Sequence, residues 1–257
     1  MDLGIAGKSA LVCASTAGLG AATARALATE GARVVFSGRR GDAARSAAAD
    51  YDGCVGIEAD LGDAAGGRAL HAAAVDAVGP LDIVVLNGPG PKPGTASAQD
   101  TASITAAVTS LLLVQQAIVA EALPHLRTSR WGRILAIGSG GVAAPITGLA
   151  LSNIGRAALA AYLKSLSNEI AGEGITANML LPGRIDTDRV RSLDAGRSEQ
   201  TGTPVEQVKE QALAAIPAGR YGEPAEFGAV AAFLCSAPAS YVTGIAMRCD
   251  GGQVPTL

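Results

Sequence analysis

Short apolar runs alternate with longer Ala-rich stretches along the 257 residues. Residues 9–14, 33–37, 55–59, 83–86, 133–137, 176–180 and 245–248 form runs of four to six residues without polar alternation. That is the pattern of strands buried on both faces. Between them the spacing predicts helices over 18–30, 42–49, 64–78, 101–126, 148–169 and 224–236. Regular strand–helix alternation implies right-handed βαβ units and one doubly wound α/β sheet, seven-stranded and mostly parallel. Nothing divides the chain, so 1–257 reads as a single domain. The one long irregular stretch runs from 183 to about 204, rich in Arg, Asp, Gly and Thr, with a helix expected over 205–215. Following a late strand, it should lie over the carboxyl ends of the strands, where such folds bind ligands.

Charge and composition narrow the function classes. Lys and Arg number 20 against 23 Asp and Glu, a net charge of −3. This argues against nucleic-acid or acidic-membrane partners, which require clustered positive charge. No apolar run reaches the roughly 18–20 residues of a membrane span, and the start of the chain lacks the pattern of a signal peptide. A cytoplasmic protein with a small-molecule substrate is the expectation. Cys13, Cys54, Cys235 and Cys249 match no metal or disulfide spacing, and with only His71 and His125 beside them no metal site is expected.

The first strand runs into Ala14-Ser15-Thr16-Ala17-Gly18-Leu19-Gly20 and then a helix. Glycines there let backbone approach a pyrophosphate, which the free N–H groups and positive end of the helix would hold. This placement gives the turn its weight, since small residues also fill ordinary strand–helix turns.

At this turn the chain resembles the short-chain dehydrogenase/reductase family, and the likeness runs nearly end to end. The family's T-G-x-x-x-G-x-G turn corresponds to Cys13-Ala14 through Gly18 and Gly20, with Ala14 where the first glycine is expected. Asp60, followed by Leu61, stands at the adenine-contacting position. Asn87-Gly88-Pro89-Gly90 replaces N-N-A-G, and residues 132–139 resemble the strand ending in the catalytic serine. Residues 181–187, with Pro182, Gly183, Ile185 and Thr187, are similar to the segment bordering the nicotinamide. Arg220-Tyr221-Gly222-Glu223-Pro224, Thr243-Gly244 and Asp250-Gly251-Gly252 follow the C-terminal pattern. The resemblance implies a Rossmann-type domain and a nicotinamide cofactor held by Ala14, Ser15, Thr16, Gly18, Leu19, Gly20, Asp60, Leu61, Asn87, Gly88, Pro182, Gly183, Ile185 and Thr187.

The second strand leads into Ser37-Gly38-Arg39-Arg40. An acidic residue in the place of Gly38 would bind the ribose hydroxyls and repel a 2′-phosphate. Gly38 repels nothing, and Arg39, with Arg40 beside it, can grip phosphate in a bidentate fork. NADP(H) is therefore favoured over NAD(H), although Ala17 occupies a place where many NADPH-using relatives carry Arg or Lys.

The catalytic positions depart from the family. Its chemistry rests on a Ser, a Tyr that donates the proton and a Lys four residues on. Ser139 matches the serine, but thirteen residues later stands Ser152, and four beyond it Arg156. The i, i+4 register on one helix face survives, and Ala107 falls where a supporting Asn is expected. A serine hydroxyl is a far weaker acid than a phenol with its pKa of about 10. Arg156 does not titrate usefully, but it can hold ribose hydroxyls, a substrate carboxylate or a developing oxyanion. Tyr162, six residues past Arg156, falls elsewhere on the helix.

Three readings follow. The first is an NADPH-dependent reductase without a tyrosine acid, acting on a carbonyl or on an activated C=N or C=C. The second is a dehydratase, isomerase or cyclase on the same fold, and the third is a catalytically silent nucleotide-binding subunit. Asn153 and Arg184 are candidate substrate contacts. The resemblance also implies a homotetramer or homodimer, formed through helices 101–126 and 148–169 and through 241–257.

Overall fold

The computed structural model describes residues 2–255. Seven strands, β1 (Ser9–Val12), β2 (Arg33–Gly38), β3 (Val55–Glu58), β4 (Ile83–Leu86), β5 (Gly132–Ile137), β6 (Ile175–Pro182) and β7 (Ala246–Cys249), form one sheet in the order β3-β2-β1-β4-β5-β6-β7. Every pairing between them is parallel, so the expected sheet is found without an antiparallel member. Strand order reverses between β1 and β4, which opens a crevice at their carboxyl ends.

Side chains of each strand alternate between two cores. Leu11, Val84, Leu86, Ile134 and Ala177 face one of them, with α3 (Ala64–Val78), α5 (Val114–Ser129) and α6 (Ala150–Ile170). Val12, Val34, Phe36, Leu135 and Leu180 face the other, with α1 (Gly18–Thr29), α2 (Gly41–Ala48) and α9 (Pro224–Leu234). Burial on both faces is why the strand sequences run apolar without alternation.

Three differences from the sequence expectations have clear causes. First, β1 stops at Val12 because Ala14 turns to a left-handed conformation (φ +46°). Second, the helix expected over 101–126 is α4 (Thr101–Val108), a π-helical turn (Thr109–Leu113) and α5 in one continuous rod, Thr101–Ser129. By length and composition this rod could cross a membrane, so the chain does contain an apolar segment of that size. One side of the rod lies in the core through Leu111, Ile118, Val119 and Leu126, while Leu113 is exposed. Third, the stretch read as irregular contains α7 (Asp188–Thr201), followed by α8 (Val205–Ala214). The sequence of α7 carries no apolar stripe, and only Asp194 in it is buried.

Trp131 has a packing role, with Lys8 and Arg133 over its ring at 4.2 and 4.3 Å from the centroid. Arg133 is itself buried, with Nε donating to the Ser236 carbonyl at 2.8 Å. All four cysteines are free thiols. Burial pushes Cys13 and Cys235 up to about 12, so neither is a nucleophile at neutral pH. Among the described residues no cluster of His, Cys, Asp or Glu could hold a metal ion.

Candidate active site

The turn after β1 is packed to the limit of what backbone allows. A Cβ on Gly20 would stand 2.4 Å from the Ala14 carbonyl and 2.8 Å from Asn87 Nδ2, and Gly18 has φ +57°. Asn87 Nδ2 donates to the Ala14 carbonyl at 3.1 Å, tying β4 to this turn. The first turn of α1 then points into the crevice with no acidic residue in it and no side-chain cap. Its N–H groups remain free for an anion.

Ser15 is fully buried and bonded within the protein. Its hydroxyl donates to the Val12 carbonyl at 2.8 Å and accepts from Ser37 N at 2.9 Å, while its own N–H donates to the Ser37 carbonyl at 2.7 Å. It clamps β1 to β2, and both of its donors are spent within the protein. Thr16 fills the space beside Gly38, where an added Cβ would come within 2.6 Å of its methyl group. Arg39 and Arg40 are exposed just beyond, with Arg40 at the N-cap of α2. Asp60 is exposed after β3, and Leu61 is buried beside it. They follow the carboxyl ends of β1, β2 and β3, and none of them lines the cavity beyond.

The inner end closes into a cavity of about 610 Å³. Gly18, Leu19 and Gly20, Asn87 and Gly88, Ser139, Ser152 and Arg156, and Pro182 to Ile185 with Thr187 all line it. Residues scattered over 170 positions of sequence thus meet in one chamber. Ser139 Oγ accepts from Gly141 N at 3.1 Å, which leaves its proton free to donate. Thr187 caps α7, accepting from Val190 N at 3.4 Å.

Arg156 is 8% exposed and donates from one terminal nitrogen to the Ile137 carbonyl at the end of β5. Burial and the nearby Arg189 guanidinium bring it down to about 10, so it stays charged at neutral pH. Gly155, beside it in α6, lets the helix approach the π-helical turn: an added Cβ would be 2.7 Å from Leu111. Tyr162 does not line the cavity; it packs against the core, and burial raises its pKa.

Both candidate substrate contacts are engaged elsewhere. Asn153 Nδ2 donates to the Ile146 carbonyl at 3.0 Å and its Oδ1 accepts from Ile146 N at 3.3 Å. It therefore braces the loop that forms one wall. Arg184 lines the cavity, but its guanidinium is paired with Asp194. Tyr221 closes the group, donating to Asp194 Oδ2 at 2.9 Å and accepting from Arg184 at 3.3 Å. These three side chains fasten α7 over the site. Sequence reasoning missed Asp194 because its role depends on Tyr221, 27 residues away. Arg189 in α7 also lines the cavity.

A family profile described as Enoyl-(Acyl carrier protein) reductase matches residues 13–253. The chain belongs to the short-chain dehydrogenase/reductase family. Human "Dehydrogenase/reductase SDR family member 4" is 32% identical over 254 residues, covering 96% of this chain and 88% of that one. Among solved structures, the L-sorbose reductase of Gluconobacter frateurii, complexed with NADPH and L-sorbose, superposes with a TM-score of 0.92 at 27% identity, both chains covered in full. YwfH, an NADPH-dependent reductase involved in bacilysin biosynthesis, gives 0.91 at 27% identity, covering 97% of this short-chain dehydrogenase/reductase and 99% of YwfH.

Proposed function

We propose that this chain is an NADP(H)-dependent reductase acting on a carbonyl, or an activated C=N or C=C, of a small organic molecule, with Ser139, Ser152 and Arg156 as its working side chains. The observation that carries the reading is the single cavity in which the glycine turn and these three residues meet. The nucleotide fits this chain's own residues. The glycine turn and the open end of α1 suit a pyrophosphate. Thr16 occupies the space an acidic side chain at Gly38 would need, and Arg39 and Arg40 offer two charges to a 2′-phosphate. The NADPH named for the sorbose reductase and for YwfH supports the same choice.

NADPH, when bound, supplies a hydride. The side chains must then orient the acceptor and steady the charge it develops. Ser139 donates its free hydroxyl proton toward an acceptor oxygen. Arg156, charged and buried, is a fixed positive donor for that oxygen or for ribose hydroxyls. Ser152 is too weak an acid to replace a phenol; it helps to hold the acceptor oxygen, and we infer that water supplies the proton. Substrates that need little acid assistance suit such a site.

Calorimetric titration tests the reading. NADPH should bind at least about tenfold more tightly than NADH, and Arg39→Ala should erase most of that difference. Failure of both nucleotides to bind at millimolar concentration would overturn it. Product formation without net cofactor change would move the assignment to a dehydratase, isomerase or cyclase, and nucleotide binding without turnover to a silent subunit. We further propose a homodimer or homotetramer built on Thr101–Ser129 and α6, where Leu113 and Ile154 are exposed; light scattering measures it directly.

A further inference from the structure

Arg156 lacks what a buried charge normally has. Among the described residues no carboxylate lies within ion-pair distance of it, and its one hydrogen-bond partner is the Ile137 carbonyl. Leaving a buried guanidinium without a counter-charge is costly. A second guanidinium aggravates the imbalance: Arg189 lines the same cavity and lowers the pKa of Arg156 by repulsion. Arg189, itself exposed to solvent, donates from one terminal nitrogen to the Pro91 carbonyl at 3.0 Å and has no ion-pair partner among the described residues.

The acids that line the cavity are committed elsewhere. Asp188 is paired with Arg191 at 2.7 Å. Asp250 accepts from Gly252 N at 3.0 Å and Val254 N at 3.1 Å. The third arginine, Arg184, is neutralised by Asp194. Arg156 therefore stands buried with no counter-charge beside it, in a cavity whose lining combines apolar residues, among them Ala144, Ile146, Leu149 and Leu193, with the hydroxyls of Ser139 and Ser152.

Resting on the reductase reading, we propose that Arg156 and Arg189 together receive an anionic group of the substrate, so that the substrate class is a small organic carboxylate with an apolar body. A planar carboxylate matches the guanidinium fork and relieves the repulsion between the two arginines. The pyrophosphate of the nucleotide has its own seat at the glycine turn and the start of α1.

The test is calorimetry on the NADP⁺-loaded protein with matched probe pairs that differ only in charge: acetate and acetamide, pyruvate and pyruvamide, 3-phenylpropionate and 3-phenylpropionamide. At least one carboxylate should bind about tenfold more tightly than its amide, and Arg189→Gln should remove most of that preference while changing NADP⁺ affinity less than about twofold. Equal affinities within every pair, or no binding of any carboxylate at millimolar concentration, overturns the proposal. So does an Arg189→Gln variant that loses NADP⁺ affinity but keeps the carboxylate preference, since the charge would then serve the nucleotide. The NADP⁺ titration made before probes are added reports separately on the reductase reading.

Discussion

At the carboxyl ends of β1 and β2 the cleft is lined by backbone that tolerates no added atom, whereas along α6 it is lined by side chains on an ordinary helix. Gly20 and Gly38 each sit where a methyl group would strike a neighbour at 2.4 and 2.6 Å. Ser15 and Ser37 spend their hydroxyls joining the two strands. Around Ser152 and Arg156 the helix is regular from Ala150 to Ile170, and it presents side chains rather than backbone to the cavity. A helix surface can exchange a phenol for a hydroxyl without moving its axis. A turn built from close backbone contacts cannot change residue type without changing shape. Gly20 is therefore fixed by its surroundings, whereas side chains on α6 can be exchanged without moving the backbone.

Breaking the rigid end should have the largest effect. Gly20→Ala forces a Cβ against the Ala14 carbonyl and Asn87, neither of which can retreat far. A stability loss of about 2–3 kcal/mol is expected in urea denaturation, together with loss of NADPH binding. Asp194→Asn comes next. It leaves the Arg184 guanidinium without its counter-charge, and a loss of about 1–3 kcal/mol is expected. The nucleotide should still bind, because α7 is loosened and the glycine turn is untouched; calorimetry and thermal melting separate the two effects.

A smaller effect concerns the support beneath the segment that carries Thr187. Arg220 and the N–H of Glu223 hold the Glu226 carboxylate, drawing it down from 4.5 to about 2. A depressed carboxylate contributes stability above its unfolded value and loses it as the pH falls. Melting temperature should thus fall between pH 4.5 and about 2, and Glu226→Gln should be flatter over that window. The smallest effect sharpens the comparison from the other side. Ala14 holds φ +46° where the family has glycine, so Ala14→Gly should gain up to about 1 kcal/mol in urea denaturation without altering nucleotide affinity.

Much of this was legible in the sequence because the signals were local. Strands buried on both faces announce themselves as apolar runs, and β2, β4 and β5 lie within a residue of their expected limits. The i, i+4 spacing of Ser152 and Arg156 places both on the face of α6 that lines the cavity. What was illegible depended on distant partners. The helix α7 has a polar sequence because it is held by its cap and by Asp194, not by an apolar face, so periodicity is silent about it. Ser15 read as a ligand contact from its place in the turn, and only the register of β2 beside it shows that Ser37 takes its hydroxyl. The engagement of Asn153 with Ile146 and of Arg184 with Asp194 likewise belongs to the folded chain.

The fastening of α7 also separates two properties that usually move together. The sheet beneath the site is held by apolar burial, which responds to temperature and to urea. The wall above it is held by a partly buried ion pair and a phenol, which respond to ionic strength and to charge substitution. The mouth of the cleft can thus be widened or tightened by changing polar residues alone, while the apolar core beneath it keeps its own contacts.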